Sequence, residues 1–150
     1  MLTYDDLTVG QTFPLGPKTV SEGEIIAFAE KFDPQPFHLE ADSEQARQVG
    51  GLIASGWHTC SMFMRMMVDS FLLESTSQGS AGLDEVRWLR PVRPGDTLKG
   101  TATVKAMRPS RSRPDLGLVD FAYRLNNQHG EIVMTIRGNG MLLTAAGANR

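Results

Sequence analysis

The sequence predicts an α+β fold in which an antiparallel sheet wraps around one long central helix. Three observations lead there. Trp57 to Leu73 is apolar nearly all round, the mark of a buried helix rather than a surface one. After it the apolar period changes, and Leu83–Val92, Thr97–Met107, Leu116–Leu125 and Glu131–Leu143 read as four long strands in a meander. Helices come first and strands later, an order that fits segregated layers better than alternating βαβ units.

Taken in order, Gln11 to Val20 is a short extended segment interrupted by Pro14 and Pro17. Ser21-Glu22-Gly23-Glu24 is a capping box, in which side chains satisfy the orphan amides of a helix start. Ile25, Ile26, Phe28, Ala29 and Phe32 then recur with helical spacing. Pro34 stops this helix, because a residue preceding proline is driven out of the helical region. Asp33 is thereby placed at the helix exit and His38 in the loop beyond. Asp42-Ser43 caps a short helix through about Gln48, which Gly50-Gly51 breaks. The central helix carries Met62, Met64, Met66 and Met67, four soft side chains suited to irregular packing. Arg93-Pro94-Gly95-Asp96, RPSRSRPD and Asn126 to Gly130 are turn-forming clusters between the strands.

With 150 residues the chain fits a single domain, 1–150, large enough to bury a core without staples. Its 41% hydrophobic and 21% charged residues are ordinary for a globular protein. A formal charge of -2 gives no electrostatic basis for nucleic-acid binding, although basic residues concentrate between Arg87 and Arg113. Cys60 is the single cysteine, so no internal disulfide forms, and a reducing cytoplasm is the expected location. The acidic start MLTYDDLTVG is unlike a signal peptide. The Cys60–Leu73 stretch is too short, and too interrupted by Arg65 and Asp69, to span a membrane.

The stretch FDPQPFHLEAD sets a carboxylate, Asp33, and an imidazole, His38, five residues apart with Pro34 and Pro36 stiffening the chain between them. Two readings are open for each. Asp33 is a turn residue bonding its own backbone, or an acid–base group. His38 is a loop histidine satisfied by a carbonyl, or a proton carrier. His58 could be drawn with them as a metal site, but the spacing matches no zinc pattern; it reads as a helix N-terminal residue near the pocket. Trp57 reads as a core or pocket-wall aromatic. Cys60 reads as a small buried hydrophobe.

Three stretches carry a resemblance to the MaoC-like dehydratases and (R)-specific enoyl-CoA hydratases of the hot-dog fold. FDPQPFH resembles the hydratase motif G-D-x-N-P-[LIV]-H, GLIASGWHT the segment leading into the central hot-dog helix, and VRWLRPVRPGDTL the characteristic strand-turn-strand. Phe32 and Gln35 stand where the motif has Gly and Asn. Met64 stands where some hydratases have a serine that holds the catalytic loop, a support that would then move to Thr59 or Ser61. The resemblance implies addition or removal of water across an α,β-unsaturated acyl thioester, carried by coenzyme A or acyl carrier protein, with no metal or redox cofactor. It implies Asp33 and His38 as the catalytic pair, with His38 as base toward water and Asp33 as the group protonating Cα. The Gly56 N–H would face the thioester oxygen, and Ser55, Trp57 and His58 would line the substrate pocket. The basic cluster, by default solvated strand edge, would contribute to coenzyme A phosphate binding. A homodimer or assembly of dimers, with sheets joined edge to edge, is the implied assembly. A hot-dog thioesterase using Asp69 or Glu74, and a non-catalytic acyl-CoA binding module, are the competing readings.

Overall fold

The computed structural model describes residues 1–149; Arg150, the last residue of the expected domain, lies outside them. Its elements are β1 (Thr12–Thr19), α1 (Glu22–Phe32), α2 (Pro36–Leu39), α3 (Glu44–Gln48), α4 (Gly56–Met67), β2 (Leu83–Trp88), β3 (Thr97–Pro109), β4 (Leu116–Asn126), β5 (Ile132–Leu143) and α5 (Ala145–Ala148). The capping box forms as the sequence predicts: Ser21 Oγ accepts from the Glu24 N–H at 3.1 Å, and Glu24 reaches back to the Ser21 amide. Asp33 ends α1, as Pro34 requires.

The strands form one antiparallel sheet in the order β1-β3-β4-β5-β2, the hot-dog arrangement that the resemblance implies. One expectation needs correcting. The four later strands are not a continuous meander: β3, β4 and β5 are, but β2 pairs with β5 and lies at the edge far from β3. The cause is the segment after β2. The expected strand to Val92 stops at Trp88, and the Val92 carbonyl accepts from the Ala54 N–H instead. Arg93-Pro94-Gly95-Asp96 then turns beside β1, where the Gly95 amide donates to the Val20 carbonyl and the Val20 amide to that of Asp96. The turn residues are real, but they carry the chain from β2 at one edge to β3, the strand beside β1 at the other, rather than closing a hairpin.

The α4 helix packs on the sheet through Met62, Phe63, Met66 and Met67, and Phe63 meets Tyr123 edge-on at 4.8 Å. Below it, Phe71 stacks on Phe13 of β1 at 4.4 Å and leans on Phe121. The helix is not buried all round as the sequence suggests. Trp57 is 62% exposed and Met64 49% exposed, so one apolar face looks outward beside the β2 edge. Apolar residues on both faces hide a one-sided burial that periodicity alone does not resolve.

Candidate active site

The site is assembled where the exit of α1 meets the start of α4. Asp33 leaves the helix with φ -154° and ψ 67°, and Gln35 caps the one-turn helix α2, whose first residue is Pro36. Proline suits that position, since its fixed φ is already helical and its missing N–H would be unpaired there. His38 therefore sits in a helical turn, not the loop expected. Two ties fix α2 to the segment before α4: the Ile53 amide donates to the Phe37 carbonyl at 3.0 Å, and His38 Nδ1 meets the Ile53 carbonyl at 2.6 Å.

That second tie settles the histidine's chemistry. A carbonyl only accepts, so Nδ1 carries the hydrogen and, in the neutral ring, Nε2 presents a lone pair. His38 is only 5% exposed, and its Nε2 points at Asp33 Oδ2, 3.2 Å away. With the ring neutral, Nε2 and Oδ2 are both acceptors, and a donor on the cavity side, such as water, can give one hydrogen to each; with the ring protonated, Nε2 donates to Oδ2 directly.

Asp33 is itself held from two further directions. Ser55 Oγ donates to Oδ2 at 2.7 Å, and Gln35 Nε2 donates to Oδ1 at 2.6 Å. Partial burial pushes the Asp33 carboxyl up, but these two bonds and the neighbouring His38 together outweigh it and hold the group below its ordinary value of 3.8. Asp33 is thus held as a carboxylate in the resting site. Neither Thr59 nor Ser61 replaces the missing helix serine. Thr59 Oγ1 turns to the Ser55 carbonyl and Ser61 Oγ to that of Trp57. Ser55, wholly buried at the N-cap of α4, takes that place.

Gly56 opens α4, and among the described residues its N–H meets no acceptor, as befits the first turn of a helix. What crowds it is Trp88 of β2. A Cβ at residue 56 would fall 2.6 to 2.9 Å from three atoms of the indole, whose Nε1 donates to the Gly56 carbonyl at 3.0 Å. Trp57 meets Trp88 edge-on at 5.4 Å. Asp33, His38, Gly56, Trp57, Thr59 and Trp88 share the walls of one cavity of about 390 Å³.

The structure brings together four of the six expected site residues there: Asp33, His38, Gly56 and Trp57. Ser55 lies behind Asp33 rather than in the wall, and Trp57 is wall, not core. His58 is a correction. Helical rotation turns it to the opposite side of α4, where its ring stacks on Phe28 at 4.8 Å and lines a different groove. Trp88 escaped the sequence reading; the signal was a tryptophan inside the VRWLRPVRPGDTL stretch. Burial pushes the half-buried Cys60 thiol up, against a role as nucleophile. Among the described residues no cluster of three His, Cys, Asp or Glu side chains is placed to hold a metal, and no helix is long and apolar enough to cross a membrane.

A sequence model described as the MaoC like domain matches residues 6–119. The crystal structure of a MaoC-like dehydratase from Rhodospirillum rubrum superposes with a TM-score of 0.87 at 40% identity, covering 96% of this chain and 98% of that one. R-hydratase PhaJ1 from Pseudomonas aeruginosa superposes with a TM-score of 0.78 at 26% identity, covering 95% and 86%. Mesaconyl-CoA hydratase from Cereibacter sphaeroides is 30% identical over 139 residues, 88% of this chain but 38% of that longer protein.

Proposed function

The chain belongs to the MaoC-like dehydratase family, and from that membership we propose that it is a hydro-lyase adding or removing water across the double bond of an α,β-unsaturated acyl thioester with (R) specificity. The observation that carries this reading is the 3.2 Å approach of His38 Nε2 to Asp33 Oδ2 in a cavity shared with the first amide of α4. Water bridging the pair gives its proton to Nε2 as its oxygen attacks Cβ. The imidazolium, beside the Asp33 carboxylate and anchored to the Ile53 carbonyl, returns the proton to Cα. Charge that gathers on the thioester oxygen in between is met by the unpartnered Gly56 N–H at the positive end of α4. The sum is H and OH added, with the thioester intact; dehydration runs the same steps backward. No metal or redox group is needed for these steps.

The departures from the motif at Phe32, Gln35 and Met64, which favour a non-catalytic module, have structural counterparts. Gln35 donates to the Asp33 carboxylate, Ser55 supports it in place of a serine at 64, and Phe32 is exposed against Phe28. The thioesterase reading finds neither of its expected acids in this cavity: Asp69 and Glu74 do not line it, and Asp69 pairs with Arg65. A coenzyme A or carrier-protein thioester is the proposed substrate, with Arg90 at the cavity wall. The exposed Trp57, Met64 and Leu89 beside the free β2 edge support a homodimer or assembly of dimers that closes the pocket.

Incubation with crotonyl-CoA tests the activity. The enoyl absorbance is expected to fall with no thiol detectable by a thiol reagent. Thiol release with the enoyl group intact would replace this reading with the thioesterase one.

A further inference from the structure

On the far side of α4 from Asp33 lies a larger groove of about 640 Å³, floored by Met62 and Met66 and walled by Phe13, Pro14 and Pro17 of β1. It shares no lining residue with the catalytic cavity. Volumes of this size hold small organic ligands. Its polar side chains are nearly all committed. Lys18 Nζ pairs with Glu24 Oε2 at 2.7 Å, and Arg65 Nε with Asp69 Oδ2 at 3.0 Å. Ser61 Oγ donates to the Trp57 carbonyl, and Ser70 Oγ to that of Pro14 at 2.6 Å.

His58 is the exception. It is 7% exposed, Nδ1 is closed off with no hydrogen-bond partner, and neither ring nitrogen meets one among the described residues. Its ring is held flat against Phe28, 10° from parallel. Nδ1 has no surface open to the groove, so the equally unpartnered Nε2 is the nitrogen that a ligand there could reach. Burial pushes the His58 pKa down, the Glu24 carboxylate opposing and Lys18 assisting, so the ring stays neutral. Every charge on the rim already has its counter-charge. The vacancy is therefore for one neutral hydrogen-bonding group on an apolar body.

We infer that this groove binds an uncharged, largely apolar small molecule bearing a single hydroxyl, which hydrogen-bonds the His58 ring. A hydroxyl both donates and accepts, so it suits either tautomer. The inference does not rest on the proposed hydratase activity.

The test uses the intact protein with ¹³C-methyl methionine, titrated with 1-naphthol and with 1-methylnaphthalene, which lacks the hydroxyl. Met62 and Met66 line the groove, whereas Met64 is on the outward face of α4 and serves as control. Saturable shifts of Met62 and Met66 but not Met64 are expected, with 1-naphthol bound roughly 10-fold more tightly, the worth of one hydrogen bond. His58→Phe keeps the stacking and should erase that preference. Ser61→Trp, at an exposed position, should fill the groove and abolish the shifts while leaving enoyl turnover intact. Equal affinity for the two probes in the parent, shifts centred on Met64, or shifts that survive Ser61→Trp would each overturn the inference.

Discussion

Replacing His38 by alanine is expected to lower kcat for enoyl thioester hydration by ~1,000-fold, within the range ascribed to a positioned general acid–base group. The argument is geometric. Nδ1 is spent on the Ile53 carbonyl at 2.6 Å, so Nε2 is the one nitrogen able to exchange a proton, and it faces Asp33 across 3.2 Å. Asp33→Asn is expected to cost somewhat less, ~100-fold, because the amide can still accept from Ser55 but no longer stabilises an imidazolium or orients water by charge. The two effects should not add, since both groups grip one water. His38→Ala also strands the Ile53 carbonyl, at a stability cost of about 1–3 kcal/mol. Turnover is therefore measured well below the unfolding midpoint of each variant. Full activity in His38→Ala would remove the proton carrier from the account.

Gly56→Ala is expected to cut kcat/KM by ~100-fold while leaving stability within about 1 kcal/mol of the parent. The added methyl would sit 2.6 Å from the Trp88 indole, closer than a Cβ tolerates, so the ring must swing away and its bond to the Gly56 carbonyl is lost. That loss of about 1 kcal/mol is offset by alanine's better helix propensity. Activity suffers because the first amide of α4 and the cavity wall move together, and an error of about 1 Å in positioning can cost two orders of magnitude. The double variant with Trp88→Ala distinguishes the cause. If Trp88 is the obstacle, Gly56→Ala adds little to Trp88→Ala alone, in both rate and unfolding midpoint. Simple multiplication of the two rate losses would show that the methyl acts on the substrate directly.

The parts of the molecule legible in the sequence are those set by neighbours along the chain. The Ser21–Glu24 capping box, the stop at Pro34 and the stiff Asp33–His38 spacing depend on local sterics and bonds within three to five residues, and each forms. Strand pairing is not local. The turn at Pro94-Gly95 looks the same whether it closes a hairpin or crosses to a distant strand, and only the bonds from Ala54 and Val20 to this segment decide. The face of α4 was equally illegible, because Trp57, Met64 and the buried methionines are all apolar. The nearness of His58 to Gly56 in sequence suggests a shared pocket, though two residues along a helix turn a side chain most of the way to the far side. Ser55 could be placed in the pocket but not behind Asp33, a contact spanning 22 residues. Trp88 is beside Gly56 only because β2 takes the sheet edge next to the start of α4.

The most direct measurement follows the oxygen atom. Crotonyl-CoA is turned over in H₂¹⁸O and the products are analysed by mass spectrometry, with His38→Ala alongside. Water held between His38 and Asp33 predicts ¹⁸O in the C3 hydroxyl of an intact thioester, at a rate that collapses in the variant. Label found instead in a free carboxylate, with the coenzyme A thiol released, would contradict the account.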